Sequence, residues 1–343
     1  MVKRKTVSYA LILWGLLGLL LGIMLLSLCL GRYPMSLRDL GGMLISKLYP
    51  VEAFWSPVQE ALFWEHRLPR VLLAVMVGIC LSGAGASYQG VFRNPMAAPD
   101  LLGASGGAAF GAALAIVLGL GQSMVLCLAF ACSLGAVFLV ILVGRRARGK
   151  GVMGLILGGI MISSLLSSGT SFLKLVADPE DQLPAITYWL MGSFNGSSKK
   201  DVLLALVPMV LGLVPLLLLR WRINLLTLGD EEAHSLGIHP ARLRLLVIFC
   251  ASLITAASVA VSGVIGWVGL VVPHLTRRMV GDDYRRLLPC SMLFGGSFLL
   301  LVDDISRNLL ATEIPIGILT GFLGAPLFLY LITKDGDRSC RSK

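Results

Sequence analysis

His234 and His239 stand five residues apart in LGDEEAHSLGIHPARLR (228–244), a spacing that invites a metal reading. No carboxylate or cysteine completes a ligand set in sequence, and both histidines flank a turn, so they read as exposed loop residues. The seven cysteines are scattered, nearly all inside apolar runs and without a CxxC pair, which suits small buried hydrophobes rather than ligands or disulfides. There is no GxxxxGK[ST] phosphate loop and no serine in a nucleophile elbow. No catalytic residue, metal site or bound cofactor is expected.

The remaining candidates are charges near apolar stretches, where ionisable side chains are costly and informative. Asp303 and Arg307 lie four apart on one helical run, share a face and can pair. Arg307, near the outer end of that run, could equally face a partner there. Arg67 and Arg70 flank Leu68-Pro69 and are expected on one face of a helix start, as interfacial side chains or as a fixed positive patch for an acidic partner.

The elements that position these groups are membrane helices. With 56% hydrophobic and only 14% charged residues, the 343-residue chain lies far from soluble usage, where about a quarter of residues are charged. Apolar runs of roughly 20 residues recur from end to end, with no polar stretch long enough for a separate soluble domain, so one domain over 1–343 is expected. The net charge of +10 is spread over short loops, as orientation signals are, and does not indicate nucleic acid. Met1 to Lys5 and the following apolar run form an uncleaved first helix, since the run exceeds a signal core and no small-residue cleavage site follows.

Crossings are predicted at about 9–30, 68–91, 101–119, 123–143, 152–176, 201–219, 244–261, a short bent segment at 263–278, 287–306 and 315–333. A polar, aromatic segment (31–65) lies outside, 184–194 forms an interfacial helix, and 220–244 is the longest inner loop. Ten crossings put both termini in the cytoplasm and 20 of the 29 lysines and arginines inside. A re-entrant segment at 263–278 would invert the later helices, against that bias.

Two loops stand out. Asn94-Pro95-Met96-Ala97-Ala98-Pro99 reads as a turn, because residues before proline leave helical geometry. Gln89 precedes it and Gly103, Gly106, Gly107 and Gly111 follow, as in a rigid elbow between closely approaching helices. In 225–244, Asp230, Glu231 and Glu232 favour the amino end of a short helix. Gly237 is placed to cap it, and the result is either a solvated loop or a docking element for another subunit.

These features together resemble the permease subunits of binding-protein-dependent ABC importers for ferric siderophores, haem and cobalamin. The likeness rests on RLPR (67–70), GAGASYQGVFRNPMAAPDLLGASGGA (83–108), LGDEEAHSLG (228–237), GVIGWVGLVVPHLTR (263–277), VDDISR (302–307) and EIPIGILTGFLGAPLFLYLI (313–332), in order over the whole chain. The resemblance implies an all-α polytopic protein of about ten transmembrane helices with the type II importer permease fold, in a prokaryotic cytoplasmic membrane. It implies alternating access in a homodimer, with ATP and magnesium bound by separate ATPase subunits. Carried over by position, Gly229, Glu232, Ala233, Ser235, Leu236 and Gly237 dock the ATPase, Asn94, Pro95 and Met96 form a cytoplasmic gate, and Arg67, Arg70 and Arg307 receive the substrate-binding protein. Met96 replaces the usual leucine, a volume-conserving change. Trp267 replaces a common phenylalanine, and Asp304 adds an acid that bears on the pairing of Arg307. An ion-gradient-driven transporter is the rival class, and it would place ionisable groups at mid-membrane.

Overall fold

The computed structural model describes residues 8–31, 33, 35–47, 49, 53–146 and 152–340, apart from the side chains of 145, 332 and 335–340. Of the basic residues assigned inside, Lys3, Arg4, Lys5, Arg148, Lys150, Arg341 and Lys343 lie outside the described residues, as do the side chains of Arg145 and Arg338.

The described chain is helical, with no strand. In order come α1 (Tyr9–Cys29), α2 (Leu37–Ile45), α3 (Pro57–Ala61), α4 (Leu68–Phe92), α5 (Ala104–Val117), α6 (Gln122–Arg146), α7 (Val152–Val176) and α8 (Gln182–Met191). Then follow α9 (Lys199–Leu228), α10 (Asp230–Ser235), α11 (Pro240–Ser262), α12 (Val268–Val280), α13 (Tyr284–Asn308) and α14 (Ile316–Cys340). A π turn at Leu62–Arg67 joins α3 to α4, and a 3-10 turn at Pro99–Leu102 precedes α5. Among the described residues, seven segments are long and apolar enough to cross a membrane: α1, the α3–α4 unit, α6, α7, α9, α11 and α13. α5, and α14 over Ile316–Leu331, add further apolar helical stretches.

Local chemistry explains the differences from the sequence expectation. The segment 31–65 is not merely polar, because Ser36 and Ser56 each make a capping box, with Asp39 and Gln59, that starts α2 and α3. α9 does not stop near residue 219. Arg220, Arg222 and Asn224 are compatible with helix once past the hydrocarbon, so its 30 residues run to Leu228 despite Pro208 and Pro215. The loop between α9 and α11 therefore shrinks to Gly229–His239. Pro240 sits in the first turn of α11, where a missing N–H costs nothing.

The bundle has two ends. At one, the Ser193 N–H donates to the Ser262 carbonyl (2.8 Å) and the Ile316 N–H to the Gly192 carbonyl (2.8 Å), joining α8, the end of α11 and the start of α14. At the other, Asn224 of α9 donates to Asp283 (2.7 Å) and accepts from the Tyr284 N–H (2.8 Å), and Arg286 lies 5.6 Å from the ring centre of Tyr9. After a bend at Gly263–Trp267, α12 thus carries the chain from the α8 end to the α10 end. Trp267 holds a left-handed φ of 70° there, and its ring packs against Gly324 and Phe328 of α14.

α4 runs through the middle of the bundle, buried on all sides through most of its length. Lipid tails offer helices no hydrophobic gain on association, so small residues that admit close packing decide the contact. A Cβ on Gly78 would stand 2.3 Å from the Gly295 carbonyl oxygen of α13, and one on Gly85 would stand 1.8 Å from that of Gly269 in α12. Both helices meet α4 backbone to backbone. Gly85→Val is expected to lower the melting temperature and yield of the detergent-solubilised protein, whereas Gly22→Val, with nothing within 4 Å, leaves both unchanged. Equal melting of the two variants would overturn this account of the core.

Candidate functional site

The groups singled out in the sequence gather at the two ends. At the α8 end, Pro69 has no N–H to continue a regular helix, and the turn before it widens so that the Leu68 N–H reaches the Phe63 carbonyl five residues back. Arg67 leaves that turn and points into the protein. Buried, it donates to the carbonyls of Leu28 (2.9 Å) and Tyr33, satisfying the carboxyl end of α1.

Arg70 forks between two carboxylates, Asp303 of α13 (2.8 Å) and Glu313 before α14 (2.9 Å). Arg307 pairs with Asp304 and donates to Ser27 of α1 (2.6 Å), and Ser27 donates to Asp304 (2.8 Å). The expected Asp303–Arg307 pair is therefore not formed. Neighbouring helical residues point about 100° apart, so Arg307 lies between the two acids and can reach either. Arg70 of α4 takes Asp303, and Arg307 takes Asp304 on the α1 side, where Ser27 meets both. The three arginines are not a free outward patch, since each is tied to its own chain. Even so, Arg67, Arg70 and Arg307 meet, with His66 and Glu313, around one cavity of about 170 Å³.

At the α10 end, the helix α4 stops in a Schellman motif. Arg93 takes a left-handed conformation (φ 50°), its N–H donates to the Gly90 carbonyl (3.3 Å), and the Asn94 N–H reaches the Gln89 carbonyl (3.2 Å). The Asn94 side chain accepts from the Met96 N–H (2.9 Å) and its carbonyl from the Ala97 N–H (3.0 Å), which makes the elbow a hydrogen-bonded turn. Asn94, Pro95 and Met96 are exposed.

The helix α10 ends in the same motif. Gly237 has a φ of 78°, its N–H donates to His234 (2.9 Å), and the Ile238 N–H donates to Ala233 (3.1 Å). Of the six docking candidates, Gly229 and Ala233 are buried and anchor the helix, while Glu232, Ser235, Leu236 and Gly237 are exposed. Gly229, at φ 145°, has the Glu232 carboxylate where a Cβ would stand, 2.0 Å away. His234 and His239 stack edge to face at 5.8 Å. Among the described residues no group of three or more histidines, cysteines or acids comes together as a metal site.

Sequence reasoning missed the ionic tie between these two elements. Asp230, at the start of α10, accepts from buried Arg244 of α11 (2.6 Å) and lies 3.6 Å from Arg93 at the elbow. Asp283 pins the neighbouring turn. Burial alone would raise its carboxyl, but hydrogen bonds from Arg285 and Asn224 outweigh that and hold it down at about 2.

Fold and sites define an integral-membrane transport subunit, built of closely packed helices with an exposed helical knob at one end. The chain belongs to the FecCD transport family, whose model matches residues 19–334, and is accordingly an ABC importer permease and not an enzyme. It is 43% identical over 327 residues to the molybdate import permease MolB of Haemophilus influenzae, covering 95% of this chain and 96% of that one. A Helicobacter pylori (strain 26695) permease assigned to an iron chelatin transport system is 45% identical over 272 residues, 79% of this chain and 82% of its own length. Among solved structures, an ABC transporter chain assigned to the metal-chelate type and caught facing inward superposes with a TM-score of 0.85 at 42% identity, covering 94% of this chain and 99% of that one.

The Asp283 linkage carries a sign. A carboxyl held below its ordinary value of 3.8 adds stability that is complete above that value and is lost as pH falls towards about 2. The melting advantage of the natural protein over Asp283→Asn is therefore expected to shrink between about pH 4 and pH 2. A gap that stays constant across that range contradicts it.

Proposed function

We propose that this chain is one half of a homodimeric importer that moves a metal chelate, a ferric siderophore in the first instance, by alternating access. The seven long apolar segments together with α5, α12 and α14 make ten crossings, with both termini and α10 in the cytoplasm. Nucleotide and its magnesium bind on a separate ATPase pair. The observation that carries the reading is α10, whose Glu232, Ser235, Leu236 and Gly237 are offered outward while Ala233 and the Asp230–Arg244 pair hold it to the bundle. Asp230 also touches Arg93, which supports a mechanical path from the ATPase to the elbow of Asn94, Pro95 and Met96 as the gate. The cavity of Arg67, Arg70 and Arg307 supports docking of acidic residues of a substrate-binding protein at the opposite end. The H. pylori relative and the metal-chelate structure favour a chelated metal, and haem and cobalamin are chelates of the same kind. The MolB relative favours a second reading, an oxyanion such as molybdate.

Scrambling Glu232–Gly237 is expected to abolish both co-purification of the ATPase and ATP-dependent uptake into liposomes. Normal uptake by that variant sinks the reading, and uptake that follows an ion gradient without ATP replaces it with the rival class. Ligand identification on the cognate binding protein separates chelate from oxyanion. Charge reversal of Arg70 is a poor docking test, because it would leave Asp303 buried beside a second acid. His66→Glu is cleaner, since it sets a negative charge at the mouth of the arginine cavity without removing an internal pair. Weaker affinity for the binding protein is expected, and unchanged affinity argues against docking there.

A further inference from the structure

α11 is buried on every side but one. Near its start the exposed positions are Ala241, Arg242, Leu246 and Phe249. Arg242, Leu246 and Phe249 follow each other at four and three residues, so they form a single stripe, which Leu253 continues. On α9 a matching stripe runs back from Arg222 through Leu218 to Leu211, all exposed. The two helices touch along this seam, where a Cβ on Gly212 would stand 2.8 Å from the Cys250 carbonyl oxygen.

The seam holds two cavities in line. At the α10 end, Arg222, Arg242, Trp221 and Leu246 border a cleft of about 400 Å³, which also reaches Leu236 and Gly237 beside α10. Further along, Leu211 and Leu253 border an apolar groove of about 490 Å³, with α6 as its third wall. Neither arginine has an ion-pair partner among the described residues. Arg222 and Arg242 both stand at the last turn before an uninterrupted apolar run, and Trp221 beside them is 52% exposed, the arrangement of a membrane interface. From Arg222 to Leu211 along α9 is about 16 Å, roughly the half-thickness of a hydrocarbon core of about 30 Å.

We propose that this seam binds one anionic phospholipid of the leaflet at the α10 end, its phosphate between Arg222 and Arg242 and an acyl chain along Leu246, Phe249 and Leu218 towards the groove. Charge complementarity selects the head group, and the apolar stripes leading from both arginines select an amphiphile over an acidic protein surface. Because Leu236 and Gly237 share the cleft, the bound lipid buttresses the turn that follows α10. The site requires only that the protein lie in a membrane, so it stands or falls apart from the transport reading.

The test uses the full-length permease, alone and with its ATPase, in phosphatidylcholine vesicles containing brominated phosphatidylglycerol or brominated phosphatidylcholine at equal mole fraction. Phosphatidylglycerol is expected to quench tryptophan fluorescence more strongly, and the excess should vanish in Trp221→Phe. Arg222→Gln and Arg242→Gln should each lower the apparent preference for phosphatidylglycerol about fivefold, and Arg222→Lys/Arg242→Lys should retain it. Equal quenching by the two lipids, or an excess that survives loss of both arginines, overturns the proposal. An excess that disappears on ATPase binding assigns the cleft to that protein contact instead and overturns it equally.

Discussion

The backbone approach of α4 to α13 and α12 is the constraint on which the other features depend. In a bilayer, helices gain little by hiding apolar side chains from lipid, so association needs surfaces that fit at short range. Gly78 against Gly295 and Gly85 against Gly269 supply that fit. Because α4 is held so closely along its length, the groups at its two ends have fixed places. Arg67 and Arg70 are set against α1, α13 and the approach to α14 at the α8 end, and Arg93 with the elbow is set against α10 at the other.

Charge is spent differently at those two ends. At the α8 end the arginines are largely buried, and each closes a contact between segments distant in sequence, in keeping with the rule that buried charges are paired or fully hydrogen-bonded. Truncating one partner there would leave a buried charge unpaired, a loss of about 3–5 kcal/mol. At the α10 end Arg93 and Asp230 are both roughly half exposed, and an exposed pair of that kind contributes only about 0–1 kcal/mol. Asp230 is held more firmly through buried Arg244. The two ends thus combine a stiff frame with a looser contact beside the exposed helix.

Much of this was legible in the chain because it is local. Apolar runs marked the long helices, Asn94-Pro95 marked a turn that closes through the Asn94 side chain, and Gly237 marked a left-handed cap after an acidic helix start. The path of α12 between opposite ends sets Arg285 and Arg286, which follow it, at the α10 end. Boundaries are less legible where a charge follows an apolar run. Arg220 and Arg222 end the hydrocarbon crossing of α9 but not its helix, since a helix continues in water as readily as arginine and asparagine allow.

By itself the sequence determined the segments, the turns and the family likeness, all of which follow from hydropathy, proline and glycine geometry, and motif order. Only the tertiary structure decided which charge meets which. Spacing leaves Arg307 within reach of either neighbouring acid, and a turn of 100° per residue separates Asp303, which answers Arg70, from Asp304, which answers Arg307. The same holds for Arg93, Asp230 and Arg244, residues from three separate helix ends that meet only because the close packing of the core brings those ends to one place.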